Sequence, residues 1–179
     1  MKRLALWSLL MVSALPLNAT QHPSYIDEQQ VLMLCNKAPV HALRFIHVGE
    51  ASLWRDSCDS EEQNSALQPP LLLEFAYQRN VPGSAFARAA TTMIERNIDS
   101  AEFRALADRL EAFNSHYIAI GSGDRYQLRY LADGTLDLLL NDSLLASEKG
   151  HEFAQSYLSI WFGDQPYSER MKEQLLAKQ

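Results

Sequence analysis

The chain has 179 residues, with 22 acidic side chains against 16 Lys and Arg and a formal charge of −6. That balance speaks against a nucleic-acid partner, where Lys and Arg neutralising phosphates supply most of the affinity, and against an anionic membrane surface. An apolar content of 47% is ordinary for a globular chain, and only one long apolar run occurs, at the N-terminus.

That run opens the chain. Lys2 and Arg3 precede an apolar stretch from Leu4 to Leu17, and Leu17-Asn18-Ala19 places aliphatic and small residues at a cleavage site. The pattern predicts a secretory signal peptide over 1–19, cut after Ala19. The run is shorter than the roughly 20 residues that span a bilayer, so no membrane span is expected after cleavage. Losing Lys2 and Arg3 moves the formal charge from −6 to −8. Residues 20–179 have the size of one domain with a single core.

Residues 20–30 are polar and read as a loose lead-in. Strand-like segments follow at 31–34 and 40–54, with Asn36-Lys37-Ala38-Pro39 as the turn between them. Cys35 and Cys58 are the two cysteines. An exported chain admits a disulfide between them; the alternative is two unpaired thiols, and the compartment favours the bond. The polar, acidic stretch 58–70 reads as a surface loop, in which Glu61-Glu62 is solvated charge. Leu71 to Tyr77 reads as a short buried strand.

Two helices are expected next. Phe86, Ala89, Ala90, Met93 and Ile94 recur at helical spacing behind Pro82-Gly83-Ser84. Phe103, Leu106, Leu110 and Phe113 form a second stripe, capped by Asp99 or Ser100 with Glu102 placed to reach back. A β-meander follows: Tyr126, Leu128 and Tyr130 alternate with polar residues, Asp133-Gly134 turns, 136–140 returns, and Asn141-Asp142 turns into a strand at Leu144-Leu145. After Gly150 a helix carries Phe153, Tyr157, Ile160 and Trp161; Gly163-Asp164-Gln165-Pro166 breaks it, and Ser168 caps a terminal helix. The order β-β-β-α-α-β-β-β-α-α predicts an α+β fold, an antiparallel sheet covered on one face by helices.

Chemistry is sparse. The histidines at 22, 41, 47, 116 and 151 show no metal-ligand spacing, and Gly121-Ser122-Gly123 lacks the frame of a nucleophile elbow. No metal site and no cofactor are implied. Alternation along 47–54 puts Val48, Glu50 and Ser52 on one face and His47, Gly49, Ala51 and Leu53 on the other. Glu50 is therefore either a cleft acid or a solvent-facing charge, and the second reading is favoured. Arg125 either pairs with a neighbouring acid or binds an anion, pairing being favoured.

Several segments, read in order, resemble the chalcone isomerase-like family, in its exported bacterial branch. They are Ala38-Pro39-Val40-His41, His47 to Trp54, Gly123-Asp124-Arg125-Tyr126-Gln127-Leu128, and above all Phe153 to Ser168 with its Ile160-Trp161-Phe162-Gly163 core. The resemblance covers about 31–177. It implies a large antiparallel sheet with a helical layer and a cleft between them; the export signal adds the expectation of a periplasmic location. Plant members cyclise chalcones with an arginine and hydroxyl side chains; other relatives bind fatty acids without catalysis.

Alignment by this resemblance puts His41 where the arginine stands, Gly49 near a threonine position and Phe86 at a tyrosine position. A histidine is mostly neutral near pH 7 and lacks the guanidinium fork. The expectation is a periplasmic, non-catalytic binder of a small apolar or fatty-acid-like ligand, with His41 and Tyr126 as lining residues. An isomerase using His41 or Glu50 is the first alternative. An envelope interaction protein with Trp54 or Trp161 at a partner surface is the second, although both tryptophans read more readily as core.

Overall fold

The computed structural model describes residues 24–27, 30–42, 45–58 and 68–178. The expected signal peptide over 1–19, and most of the expected loop at 58–70 with Glu61-Glu62, lie outside the described residues.

Among the described residues, seven strands form one antiparallel meander in chain order: β1 (Ser24–Asp27), β2 (Gln30–Ala42), β3 (Ile46–Arg55), β4 (Leu71–Tyr77), β5 (Arg125–Tyr130), β6 (Leu136–Leu140) and β7 (Ser143–Glu148). Helices α1 (Gly83–Asn97) and α2 (Ser100–Asn114) sit between β4 and β5, yet these two strands still pair directly, Leu73 opposite Leu128. The helix pair is thus an excursion over one face and not a crossover. α3 (His151–Phe162) and α4 (Glu169–Leu175) complete the layer; α1 packs against α3 and α2, and α4 against β2. The expected α+β sheet with helices on one face is what the chain forms.

Two expectations about the first strands are corrected. Residues 24–27, read as part of a loose lead-in, pair with β2. Asn36 to Pro39, read as a turn, lie inside β2, and the chain turns only after Ala42. Pro39 is tolerated because β1 pairs only with residues 30–32 of β2, so the strand has an outer edge at that point where a missing N–H costs no ladder bond. α4 packs along β2, where the Asn36 amide donates to the carbonyls of Leu175 (3.0 Å) and Ala177 (2.8 Å).

The helix-facing residues follow the two-residue period in the central strands: Ala51 and Leu53 on β3, Leu71, Leu73 and Phe75 on β4, Leu128 and Tyr130 on β5, Leu136 and Leu138 on β6, all buried. Val48 departs from it. A register irregularity between Val40 and His41 turns Val48 into the same core as Ala51, where alternation from Glu50 places it on the opposite face. That opposite face is polar and paired: Lys37 with Glu50 at 2.8 Å, Arg129 with Asp137 at 2.7 Å, and Arg125 with Asp142 at 2.8 Å. Glu50 and Arg125 are therefore paired surface charges. A small apolar patch of Leu32, Leu72, Trp54 and Leu131 forms a second cluster.

Helix ends obey their local chemistry. Asp99 caps α2 by accepting from the N–H groups of Ala101 (2.7 Å) and Glu102 (3.0 Å), which holds its carboxyl below the usual carboxylate range. Glu102 does not close a capping box; it accepts from the Ser156 hydroxyl at 2.7 Å and ties α2 to α3. Ser168 caps α4 through Met171 N–H. Cys35 and Cys58 are joined, Sγ–Sγ 2.05 Å, linking β2 to the end of β3.

Candidate functional site

Between the sheet and the helices lies a cavity of about 370 Å³. The sheet supplies Val40, Val48, Phe75 and Tyr77; α1 supplies Phe86 and the small residues Ala85, Ala89 and Ala90; α3 supplies Ile160 and Trp161. Tyr117 and Tyr167 come from the segments after α2 and α3. The cavity exists because α1 presents alanines to it: with only a methyl group at three wall positions, helix and sheet cannot fill the space between them. Its volume is at the lower end of small-molecule sites, and its wall has the usual apolar and aromatic character.

Among the described residues, no Lys, Arg, His, Asp or Glu is part of this wall. The described wall side chains that carry a polar group are neutral: three tyrosines and Trp161. Burial raises the hydroxyl pKa values of Tyr77, Tyr117 and Tyr167, so all three remain protonated at neutral pH.

Two of the hydroxyl protons are already used. Tyr167 donates to the carbonyl of His41 at 2.9 Å. Tyr157 donates to Asn114 Oδ1 at 2.7 Å, so in the 3.0 Å contact between Tyr117 and Tyr157 the proton comes from Tyr117. The chain continues through Asn114 Nδ2 to Thr91 Oγ1 (3.2 Å) and from Thr91 to the carbonyl of Ala87 (3.0 Å). Five groups in line thus each donate or accept in turn, and they fix Tyr117 against α1. The rings are fixed as well: Phe86 stacks on Tyr117 with centroids 5.5 Å apart and meets Tyr77 edge-on at 5.4 Å. The wall is pre-formed.

Neither residue expected to line the site does so. His41 sits at the end of β2; its ring meets His47 at 5.4 Å, and its contribution here is the carbonyl that holds Tyr167. Tyr126 stands behind the wall, packed on Tyr77, Phe86 and Tyr117, and its hydroxyl is committed to the Ile118 N–H (2.9 Å) and carbonyl (2.8 Å). Phe86 and Trp161 are in the wall, as is Val40 from the segment that carried the resemblance. Gly49 is closed off: a Cβ there would collide with the backbone carbonyl of Ala76 on β4, so no hydroxyl side chain fits at that position. Trp54 is on the far face with its Nε1 unpaired.

Tyr77, Tyr117 and Tyr167 escaped the sequence reading. Tyr77 had a signal, since it continues the Leu71, Leu73, Phe75 face of a strand already expected. Tyr117 and Tyr167 lie in connecting segments where no periodicity operates. Among the described residues no cluster of His, Cys, Asp or Glu could hold a metal ion, and no helix is long and apolar enough to cross a membrane.

An open antiparallel meander with helices on one face and an apolar cavity between them defines a chalcone isomerase-type fold. The chalcone isomerase-like family model matches residues 27–177, and the chain belongs to that family. A crystal structure of a fatty-acid binding protein from Arabidopsis thaliana is similar in fold, with a TM-score of 0.58 at 15% sequence identity, covering 87% of this chain and 90% of that one. No curated protein matches the sequence.

Proposed function

We propose that this protein binds a small apolar, lipid-like ligand in the sheet–helix cavity and does not turn it over. The carrying observation is the cavity itself, apolar and aromatic, with the Tyr117 and Tyr167 hydroxyls fixed by their own hydrogen bonds and, among the described residues, no ionisable acid or base in its wall other than protonated tyrosines. A ring closure of the chalcone type needs a cation to hold a phenolate and groups that organise proton transfer. His41 and Glu50 do not supply them, since one is outside the wall and the other is paired with Lys37 on the opposite face. The shared fold with a fatty-acid binding protein supports the same reading.

We place this activity in the periplasm of a bacterium, in the exported branch of the family. The leader pattern of residues 1–19 supports export, and the Cys35–Cys58 bond suits an oxidising compartment. Native mass spectrometry of the protein purified from periplasm tests both points. A bound lipid-like mass and an N-terminus at Thr20 are expected. An empty protein that also fails to take up apolar probes would overturn the binding reading, and a retained Met1 would overturn cleavage. Chalcone absorbance is expected to decay at the uncatalysed rate in its presence.

A further inference from the structure

The cavity opens where its wall reaches the surface. Tyr167, 38% exposed, and Ala89, also exposed, are wall residues, and half-buried Ala42 joins the wall at the end of β2. Ala42 is also the base of the turn between β2 and β3. Its carbonyl accepts from the Phe45 N–H at 3.3 Å, and it pairs with Ile46. Phe45 is 87% exposed and Ile46 44%, so this turn carries two large apolar side chains into solvent beside the mouth of an apolar cavity. Apolar residues scattered singly over a surface need no explanation, but an adjoining pair at a cavity mouth marks a contact surface.

Size, depth and charge together say what covers the turn. A stable protein interface needs about 800 Å² from each partner, and two side chains on one turn fall far short of that. A bilayer surface sets no such threshold, because binding there scales with whatever apolar area enters the headgroup–acyl boundary, about 5–10 Å deep. Arg79 stands at the matching height. It is exposed, and its Nε donates at 2.9 Å to the carbonyl of His47, two residues or roughly 7 Å along the chain from Phe45. With Phe45 among acyl chains, that guanidinium is level with the headgroup phosphates. The net negative charge of the chain favours a zwitterionic surface over an anionic one. Resting on the apolar-ligand reading above, we propose that the β2–β3 turn is a membrane-contact element. Phe45 and Ile46 enter the surface of a zwitterionic phospholipid bilayer, Arg79 meets its phosphates, and the cavity mouth at Ala42 is set down on the lipid with which the ligand exchanges.

Flotation of the purified protein with phosphatidylcholine vesicles, alongside Phe45→Ser and Phe45→Trp, tests this. The unaltered protein is expected to float, and Phe45→Ser to lower its partition coefficient at least tenfold, as loss of one inserted phenyl requires. Phe45→Trp should float like the parent, and the emission of its added indole should shift to the blue when vesicles are present. An unaltered protein that stays behind overturns the proposal, and so does a Phe45→Ser protein that partitions equally well. A Phe45-dependent dimer that does not float puts a second copy of the chain on the turn and overturns it too. Should Phe45→Ser fail to fold, the Phe45→Trp emission decides, an unshifted spectrum being the overturning result. Calorimetric titration with methyl dodecanoate in vesicle-free buffer reads the cavity separately, and Phe45→Ser is expected to bind it as tightly as the unaltered chain. Failure of both proteins to bind this ester overturns the underlying binding function, while flotation still decides the membrane contact.

Discussion

Trp161 on α3 packs its indole against the ring of Phe75 on β4, centroids 5.1 Å apart and tilted by 38°, so that one helix residue and one strand residue form adjoining parts of the cavity wall. An occupant of the cavity changes the polarity around that indole. Ligand binding is therefore expected to shift or quench tryptophan emission, and Trp161→Phe should abolish the response without abolishing binding. Trp54, on the far face of the sheet, should not respond. Fluorescence titration of both proteins checks this, and a full response surviving in Trp161→Phe would relocate the binding site.

Ala89 lines the cavity from an exposed turn of α1. A phenyl group there can enter the space without displacing packed core atoms. Ala89→Phe is expected to cut apolar-ligand affinity by more than tenfold while changing the thermal midpoint by no more than about 2 °C, a surface-like effect. Retained affinity in this variant would show that the ligand sits elsewhere.

The buried amide of Asn114 joins Tyr157 to Thr91. Replacing it by leucine keeps the branched outline but leaves the Tyr157 hydroxyl without its acceptor. Asn114→Leu should lower stability by about 1–3 kcal/mol, read as a lower urea midpoint at unchanged slope. A neutral outcome would mean that water or a neighbour replaces the amide.

The bond between Cys35 and Cys58 spans a sequence separation of 23 residues. Chain-entropy arguments put its contribution at about 3 kcal/mol for a loop of that size. The double variant Cys35→Ser, Cys58→Ser should lose that amount in urea denaturation, and reducing agent should bring the parent protein to the same midpoint.

Three aspartates respond to acid in one direction. Asp99, Asp124 and Asp133 have carboxyls held below their ordinary pKa by backbone N–H donors at Glu102, Gly121 and Thr135 respectively. A carboxyl whose folded pKa is depressed stabilises the protein fully above its unfolded pKa, and that contribution is lost as pH falls through the folded value. Stability should thus be flat near neutrality and decline below about pH 4. Asp99→Ala should lower the neutral-pH midpoint and flatten the acid limb.

Much of the fold was legible because short-range rules wrote it. Helical spacing set α1 and α3, Asp99 and Ser168 marked the starts of α2 and α4, and the residues Asn141 and Asp142, both at positive φ, set the tight turn between β6 and β7. Asn36 to Pro39 misled because proline reads as a breaker, whereas an edge position decided by which strands pair removes its penalty. Val48 misled for a related reason: an irregularity in pairing between β2 and β3 resets the alternation, and pairing register is a property of two strands together.

By itself, the sequence determined a mixed fold of helices laid on an antiparallel meander and the family that carries it, because periodicity, caps and turn residues act within a few positions of the chain. Tertiary structure alone decided the site. Tyr77, Phe86, Tyr117, Trp161 and Tyr167 come from separate elements, and a cavity is space that several packed surfaces leave unfilled. The same packing closed Gly49 against Ala76 and kept His41 and Tyr126 out of the wall.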